Sequence, residues 1–258
     1  MKIKFYKYQA AGNDFVLIDN RDKKLTLTKE QIAQITNRRL GVGADGVILV
    51  DADAKANFNV TYINPDGTQS LCGNGCRTAV HLAHKLGLAN GKNTFNAFDG
   101  IHEAEILPDG QIKIKMNDVE AIEEAFDGYS LDTGSPHYVK FIQGLNDFPV
   151  FEEGRKMRYH KHFPKGTNAN YLESQGENTF ALRTYERGVE EETLACGTGA
   201  TAAALAASIK GYTSPITLLT RGGTLKVDFK TRPSGGFYEI YLTGPAKMVF
   251  EGELTLED

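Results

Sequence analysis

Two cysteines, each followed by a Gly-x-Gly sequence and an apolar run, are the residues of this chain best suited to chemistry. Cys72 lies in L-C-G-N-G at residues 71–75, and Cys196 lies in A-C-G-T-G at residues 195–199. Each run ends at a glycine 15 residues after its cysteine. The spacing predicts a cysteine at a helix entrance, where unpaired backbone N–H groups and the helix dipole favour negative charge. This setting predicts a lowered thiol pKa and a reactive thiolate.

A matched pair of such thiols indicates acid–base chemistry on one substrate. Helix N-termini bind anions, so a carbon acid held by its carboxylate fits both entrances. That carbon could lose a proton to one thiolate and gain one from the opposite thiol, which inverts a stereocentre. Backbone donors at the carboxylate would also stabilise the charge that develops in the transition state. The two cysteines and their spacing predict an acid–base pair and an anion site, but they do not identify the substrate.

Polar residues precede both cysteine loops at equivalent places. Asn64 ends a predicted strand before the first loop, and Glu186 and Arg187 end the matching strand before the second. A functional role is favoured for these residues, because binding and catalytic residues often lie on such loops. The alternative for Glu186 and Arg187 is an exposed ion pair. His137 follows the restricted Ser135-Pro136 step. A histidine near a thiol can tune its pKa, and a solvated loop histidine is the alternative.

Structural interpretations compete with these functional ones. A cysteine at a helix start is often only a small buried hydrophobic residue. Because two matched copies are present, this interpretation is less favoured here. Cys76 has no counterpart in the second loop, where Ala200 stands, and is interpreted as a packing residue. A zinc site from Cys72, Cys76, His81 and His84 is disfavoured because the spacing fits no usual ligand pattern. No Walker lysine follows Gly73 to make a phosphate loop.

The motifs recur in order along the chain, which indicates an internal duplication. The strand-like segments 58–64 and 180–186 are 122 residues apart, and the two cysteines are 124 residues apart. We therefore predict two halves, residues 1–122 and 123–258, with the glutamate-rich stretch 117–128 as the linker.

Each half is predicted to mix many strands with few helices. A helix is expected at about 28–39, where Thr28 and Gln31 are spaced as a capping box, and a hairpin turn at 108–110. Strands are expected at 2–8, 15–19, 47–50, 57–63, 94–98, 103–107, 111–116, 138–142, 169–173, 180–185, 216–220, 225–229 and 237–242. Without regular strand–helix alternation, an α+β fold is favoured over a doubly wound sheet.

Composition narrows the class of protein. A formal net charge of -4 argues against a nucleic-acid partner and against an anionic membrane surface. Three cysteines do not make a disulfide framework, which favours a reducing compartment. The first residues carry charge where a signal peptide needs an apolar core, and no apolar run is long enough to span a bilayer. A cytoplasmic location and a small-molecule substrate are therefore expected.

The motifs together resemble those of the diaminopimelate epimerases, a family of cofactor-independent amino-acid epimerases. The resemblance runs in order through nearly the whole chain. It comprises G-N-D-F at 12–15, G-V-G-A-D-G at 41–46, N-P-D-G at 64–67, C-G-N-G-C-R at 72–77, G-S-P-H at 134–137, T-N-A-N at 167–170, Y-E-R-G at 185–188 and C-G-T-G at 196–199.

The resemblance implies interconversion of LL- and meso-2,6-diaminopimelate in lysine and peptidoglycan precursor synthesis, without pyridoxal phosphate or a metal. It implies two pseudo-symmetric domains, each a barrel-like mixed sheet around a central helix, with the active site between them. It also implies that a C-terminal strand at about 246–256 packs with the first domain, and that the protein is a homodimer.

The resemblance also implies a role for each matching residue. Cys72 and Cys196 would be the acid–base pair, and His137 and Glu186 would tune the thiols. The backbone N–H groups of Gly73, Asn74, Gly197 and Thr198 would hold the reacting carboxylate. The rest of the substrate would be bound by Asn13, Asn64, Asn168, Glu186 and Arg187.

Two positions depart from the family pattern. Many members carry an asparagine at the place of Ser135 and a glutamine at the place of Gly46, and both positions are expected to help bind the substrate. A serine keeps one hydrogen bond, whereas a glycine leaves only its backbone or water.

Two rival functions stay open at this point. One is a proline or hydroxyproline racemase; Arg187 and the set of amides favour an extended diamino diacid over a compact ring. The other is a noncatalytic ligand-binding or redox-sensing protein that uses the same cysteines. Facing thiols could form a disulfide, which we expect to inactivate the enzyme reversibly.

Overall fold

The computed structural model describes residues 1–22 and 25–256, which divide into two compact units. Unit 1 comprises Met1–Ile114 and Gly244–Asp258, and unit 2 comprises Lys115–Thr243. The described residues form seventeen strands and four α-helices. Strands thus dominate both units, as an α+β fold requires.

Unit 1 contains a mixed sheet and two helices, α1 (Lys29–Thr36) and α2 (Gly73–Lys85). Its strands are β1 (Lys2–Ala10), β2 (Asn13–Asp19), β3 (Gly46–Asp51), β4 (Phe58–Ile63), β5 (Lys92–Ala97), β6 (Gly100–Ile106), β7 (Ile112–Lys115) and β17 (Lys247–Thr255). The pairs β2–β3 and β4–β5 are parallel, and the pairs β1–β2, β3–β4, β5–β6 and β6–β7 are antiparallel. β17 pairs antiparallel with β1.

Apart from its first strand and a short strand before its second helix, unit 2 repeats the order of elements of unit 1, with helices α3 (Val150–Arg158) and α4 (Gly197–Ile209). Its strands are β8 (Glu123–Ala125), β9 (Gly128–Asp132), β10 (Pro136–Phe141), β11 (Asn168–Gly176), β12 (Thr179–Glu186), β13 (Glu191–Thr193), β14 (Ile216–Thr220), β15 (Gly223–Thr231) and β16 (Phe237–Gly244). The pairs β10–β11 and β12–β14 are parallel, and β9–β10, β11–β12, β14–β15 and β15–β16 are antiparallel. β8 pairs with β9 as β17 pairs with β1, so the duplication seen in the sequence is a duplication of topology.

Each unit folds its sheet around one central helix. In unit 1, α2 contacts β1, β2, β3, β4, β6 and β17, and its residues Ala79, Val80 and Leu82 are fully buried. In unit 2, α4 contacts β9, β10, β11, β12, β14 and β15. Nearly all of α4 is buried and much of it is alanine, the residue with the highest helix propensity. The small alanine side chain also lets the surrounding strands approach the helix closely.

The strands expected from the sequence are present, with ends displaced by no more than three residues. α1 also has its capping box, with Thr28 as N-cap and Gln31 returning the hydrogen bond. It ends at Thr36, three residues before the expected end. No helix in the described part of the chain is long and apolar enough to cross a membrane.

The expected linker at 117–128 is wrong. Those residues belong to unit 2 and contain β8. Val119 is buried and forms a β-bridge with Phe237, and Ala125 is also buried. The glutamates that suggested a linker occupy exposed positions beside these buried ones, as on any strand with one solvated face.

Candidate active site

Both cysteines are the N-cap residues of the central helix in their unit. Cys72 has extended backbone angles, φ −131° and ψ 108°, and its Sγ accepts a hydrogen bond from the N–H of Gly75 at 3.4 Å. Cys196 repeats this geometry with φ −116° and ψ 117°, and its Sγ accepts from the N–H of Gly199 at 3.4 Å. Each sulfur thus occupies a position usually taken by Ser, Thr, Asp or Asn, at the positive end of a helix.

Asn13 and Asn74 lie with Cys72 in unit 1. The Cys72 thiol donates to Asn13 Oδ1 at 3.6 Å, and Asn74 Nδ2 donates to the same oxygen at 3.2 Å. Asn13 Nδ2 donates to the Asp45 carboxylate. The structure therefore brings two of the sequence-predicted binding residues together at the first cysteine. Beside them, a Cβ on Gly73 would have no heavy atom within 4 Å, which leaves room next to its backbone.

A charged network behind Asn13 was missed by the sequence analysis. Arg38 donates to Asp14 at 2.7 Å and to Asp45 at 2.6 Å, and the buried Lys7 also donates to Asp14. Burial raises the pKa of Asp14, but hydrogen bonds from Arg38 and Lys7 outweigh it and lower that pKa to about 2. The Asp14 carboxylate is therefore ionised at neutral pH.

Strand register supplies the signal that would have found this network. β2 and β3 are parallel, and Phe15 pairs with Gly46. The residues just before them, Asp14 and Asp45, must then be neighbours, and the backbone N–H of Asp45 donates to the Asp14 carbonyl at 2.8 Å. Two adjacent carboxylates require a cation between them, which Arg38 supplies.

Asn64 is held in the turn that leads to the first cysteine loop. Its Nδ2 donates to the carbonyl and the hydroxyl of Thr68, both at 3.1 Å, and to Ser70 Oγ at 3.2 Å. These bonds fix residues 64–70 directly before Cys72. A substrate-binding role for Asn64 stays a prediction.

Tyr62 explains the glycine at position 46. A Cβ on Gly46 would lie 2.4 Å from Cε2 of the Tyr62 ring, and the Tyr62 hydroxyl donates to the Asp45 carbonyl at 3.3 Å. The ring packs edge-on against Phe15, with centroids 5.8 Å apart. Tyr62, together with the Ile63 carbonyl oxygen 2.9 Å from the same Cβ position, therefore fills the space that a side chain at position 46 would need.

Cys196 lies in a more enclosed setting in unit 2, where it is 7% exposed. Burial raises the pKa of its thiol, and the charge of Glu186 acts in the same direction. The Thr198 hydroxyl, 3.5 Å from Sγ, and the Gly199 N–H act in the opposite direction without overcoming burial. The prediction of a lowered thiol pKa is therefore wrong for Cys196, because desolvation of the thiolate outweighs the helix dipole.

His137 is fully buried and uncharged. Burial, with a smaller effect of the Arg187 charge, lowers its pKa to about 3. Asn170 Nδ2 donates to the Tyr138 carbonyl at 2.9 Å and to His137 Nδ1 at 3.1 Å, so Nδ1 is the acceptor. The ring proton then lies on Nε2 and is donated to Ser135 Oγ at 3.0 Å. Its role as a tuner of the thiols stays a prediction.

Ser135 and Thr198 connect this histidine to the second cysteine loop. Ser135 Oγ accepts from Asn168 Nδ2 at 3.2 Å and lies 3.4 Å from Thr198 Oγ1. The Thr133 hydroxyl donates to the Thr198 carbonyl at 2.9 Å. Ser135, one of the two departures from the family pattern, thus contacts Thr198, which in turn contacts Cys196.

Asn168 joins this group to the end of β12. Its Oδ1 accepts the backbone N–H of Arg187 at 2.9 Å, and Arg187 Nη1 donates to the Lys165 carbonyl at 3.1 Å. Glu186 accepts a hydrogen bond from the Thr193 hydroxyl. Hydrogen bonds through Ser135 and Asn168 therefore link His137, Thr198 and the backbone of Arg187, whereas Glu186 acts on Cys196 through its charge.

The residues weighed for zinc have separate partners. Cys76 is buried in the core cluster of unit 1, where burial raises its thiol pKa. His81 Nδ1 lies 3.2 Å from the Tyr8 hydroxyl, and His84 Nδ1 lies 2.9 Å from the Ala89 carbonyl. Within residues 1–22 and 25–256, no three His, Cys, Asp or Glu side chains are grouped so that they could hold a metal ion.

Comparisons with known proteins agree on one family. The family model described as "Diaminopimelate epimerase" matches residues 5–122 and 129–249. A curated diaminopimelate epimerase of Flavobacterium psychrophilum is 44% identical over 257 residues, covering 96% of this chain and 99% of its own.

Solved structures show that the fold is shared more widely. A phenazine biosynthesis protein of the PhzF family from Bacillus anthracis matches with a TM-score of 0.76 at 17% identity, covering 99% of this chain and 100% of its own. A hydroxyproline epimerase from Agrobacterium vitis matches with a TM-score of 0.69 at 14% identity, covering 100% and 93%. At these identities the likeness concerns the fold alone.

Proposed function

Because the chain belongs to the diaminopimelate epimerase family, we propose that it interconverts LL-2,6-diaminopimelate and meso-2,6-diaminopimelate. It is an isomerase that inverts one α-carbon of its substrate. The observation that carries the proposal is the matched geometry of Cys72 and Cys196, each the N-cap of its unit's central helix. An enzyme that runs in both directions needs the same kind of acid and base for each direction, and two equivalent thiols supply it.

In the proposed reaction, one sulfur acts as thiolate and removes the α-proton. The electron pair left on the α-carbon is delocalised into the adjacent carboxylate. The other sulfur, as thiol, then donates its proton to the opposite face of the same carbon. No atom is gained or lost, and the two sulfurs exchange protonation states. The reverse reaction uses the same steps with the two roles exchanged.

The substrate carboxylate is proposed to bind at the helix entrances, through the backbone N–H groups of Gly73, Asn74, Gly197 and Thr198, which belong to the first turn of each helix. Such donors stabilise the enolate-like charge more as it develops than in the ground state, which is how they accelerate the reaction.

The other predicted residues have the chemistry that the far end of the substrate needs. An amino-acid end carries an ammonium and a carboxylate, which amides and a guanidinium bind with charge-assisted hydrogen bonds. Asn13, Asn64, Asn168, Glu186 and Arg187 are proposed for this binding, and His137 and Glu186 for tuning the thiols. Cytoplasmic location and a homodimer are proposed on the family resemblance, and sedimentation of the purified protein tests the second.

The test is proton NMR of LL-diaminopimelate with the purified protein in D₂O, with reductant present and no cofactor added. The α-proton signal is expected to disappear while the meso isomer appears. Cys72→Ser and Cys196→Ser are each expected to abolish turnover. Cys76→Ala is the matched control, because alanine stands at the corresponding place, Ala200, in unit 2.

Each other outcome changes the proposal in a defined way. Exchange of proline or hydroxyproline instead would keep the thiol pair and replace the substrate. Tight binding without any exchange would favour the noncatalytic alternative. Loss of turnover in Cys76→Ala alone would contradict the assignment of the two N-cap cysteines.

A further inference from the structure

Four side chains of unit 1 form a continuous line of hydrogen bonds beside Cys72. Arg77 Nη2 donates to Asn74 Oδ1 at 2.7 Å, and Asn74 Nδ2 donates to Asn13 Oδ1 at 3.2 Å. Asn13 Nδ2 then donates to Asp45 Oδ2. The line therefore runs from a cation to an anion through two amides.

The two ends of the line decide how both amides point. A guanidinium has only donors and a carboxylate has only acceptors, whereas an asparagine amide can be turned either way. With Arg77 at one end, Asn74 must present its oxygen to it; with Asp45 at the other, Asn13 must present its nitrogen. Reversing either amide would place donor against donor or acceptor against acceptor.

Both ends are themselves fixed. Arg77 is fully buried, and its Nε donates to the Pro245 carbonyl at 3.4 Å. Burial lowers the pKa of Arg77 to about 10, which leaves it charged at neutral pH. Asp45 is held by Arg38 and also accepts the backbone N–H of Asp14 at 3.2 Å.

The fixed amide leaves Asn13 Oδ1 facing the Cys72 sulfur, 3.6 Å away. A carbonyl oxygen can only accept, so this contact exists when the sulfur carries its proton and becomes repulsive when it does not. We propose that Asp45 is a positioning residue for Cys72: through Asn13, it holds an amide oxygen against the thiol proton and favours thiol over thiolate. The proposal deepens the proposed function and rests on it for the catalytic role of Cys72.

The test measures alkylation of Cys72 by iodoacetamide in the substrate-free protein at pH 7, followed by mass spectrometry of the cysteine peptides. Only the thiolate reacts, so the rate reports how strongly the site favours the thiol. Asp45→Asn replaces the acceptor-only carboxylate with an amide that no longer dictates the orientation of Asn13. The Cys72 rate is expected to rise at least threefold, while the Cys196 rate measured in the same sample stays unchanged.

Two further variants separate positioning from other effects. Asp19→Asn removes a carboxylate from the other end of β2, where Asp19 pairs with Arg21, and is expected to leave the Cys72 rate unchanged. In an Asn13→Ala background, Asp45→Asn is expected to have no further effect, because the amide through which Asp45 acts is gone.

The outcomes that overturn the proposal are distinct. An unchanged Cys72 rate in Asp45→Asn removes the positioning role. The same increase in the Asn13→Ala background would mean that Asp45 acts by its charge alone. A parallel rise at Cys196 would mean general loosening of the fold. Because alkylation needs no substrate, these results stand apart from the turnover assay, so absence of epimerase activity would overturn the proposed function only.

Discussion

Asn170 Oδ1 occupies the space into which a side chain on Gly199 would project: a Cβ at residue 199 would lie 2.4 Å from that oxygen. The same oxygen accepts the Thr184 hydroxyl at 3.0 Å, and the amide nitrogen donates to His137. The backbone N–H of Gly199 meanwhile donates to Cys196. The glycine therefore lets the cysteine helix approach β11, whose Asn170 hydrogen-bonds the buried His137.

Gly199→Ala is expected to lower the free energy of unfolding by about 1–3 kcal/mol, because Asn170 must move and leave buried partners unsatisfied. Gly73→Ala, in the other cysteine loop, is the control, because an added Cβ there meets no heavy atom within 4 Å. Urea denaturation of both variants measures the difference. Equal stability of Gly199→Ala and the wild type would show that the Asn170 contact is not tight.

His137 is expected to make the protein less stable in acid. The unfolded chain takes up a proton at this histidine near its ordinary pKa of 6.5, whereas the folded protein does so only near pH 3. The unfolded state therefore binds more protons in this window, and stability falls as pH falls, by up to about 1.4 kcal/mol per pH unit for one proton.

The comparison of His137→Gln with the wild type isolates this contribution. Free energies of unfolding measured at pH 6.5, 5.5 and 4.5 are expected to change less steeply in the variant, whatever its absolute stability. Asp14, whose folded pKa is lowered to about 2, changes the stability of both proteins equally as the pH falls below about 5, so the difference between the two slopes reports His137. Identical slopes would contradict the buried neutral imidazole.

Gly46 and Tyr62 are expected to behave as a coupled pair. Gly46→Ala places a methyl group against the Tyr62 ring and is expected to cost about 1–3 kcal/mol of unfolding free energy. In a Tyr62→Ala background, the same substitution is expected to cost less, giving a coupling energy of about 1 kcal/mol or more. A residual cost is expected from the Ile63 carbonyl oxygen, which lies 2.9 Å from the same Cβ position. Thermal and urea unfolding of the four proteins measure it. Additive effects would mean that the ring moves aside freely.

Ser135 is expected to matter for turnover although it is a departure from the family pattern. Ser135→Ala removes the acceptor for His137 Nε2–H and for the Asn168 amide, and it removes the group next to Thr198. We expect kcat/KM to fall about tenfold, because the residue that contacts Cys196 loses its fixed position. Ser130→Ala, which changes a half-buried serine on β9, is the control. Unchanged kcat/KM in Ser135→Ala would show that this contact is dispensable.

Much of the fold could be predicted because its signals are local. The glycines after Cys72 and Cys196, and the repeated order of motifs, indicate both central helices and the duplication. α3 was missed because it contains Gly154, which weakens the helix signal. That glycine serves a tertiary contact: a Cβ there would lie 2.3 Å from Cβ of Tyr185. The pairing of β8 with β9 was missed because a three-residue strand carries almost no pattern.

The sequence predicts which residues belong to the site, but it does not predict which side chains they contact. Asn13 was expected to bind substrate, and its link to Asp45 depends on the parallel register of β2 and β3. The direction of the Cys196 pKa shift depends on how deeply the second loop is buried, which spacing does not report. Arg77 lay within a recognised motif, but its burial and its contact with Asn74 are properties of the folded chain.

The pairing of β17 with β1 has a consequence for the order in which the protein is made. Residues 247–255 are translated after all of unit 2, yet they form an edge of unit 1 beside its first strand. Unit 2 is contiguous, so its sheet needs no strand that is made after residue 243. Unit 1 is not contiguous, because β1 lacks its partner β17 until residues 247–255 have been made. The unit whose synthesis begins first is therefore the unit that is completed last.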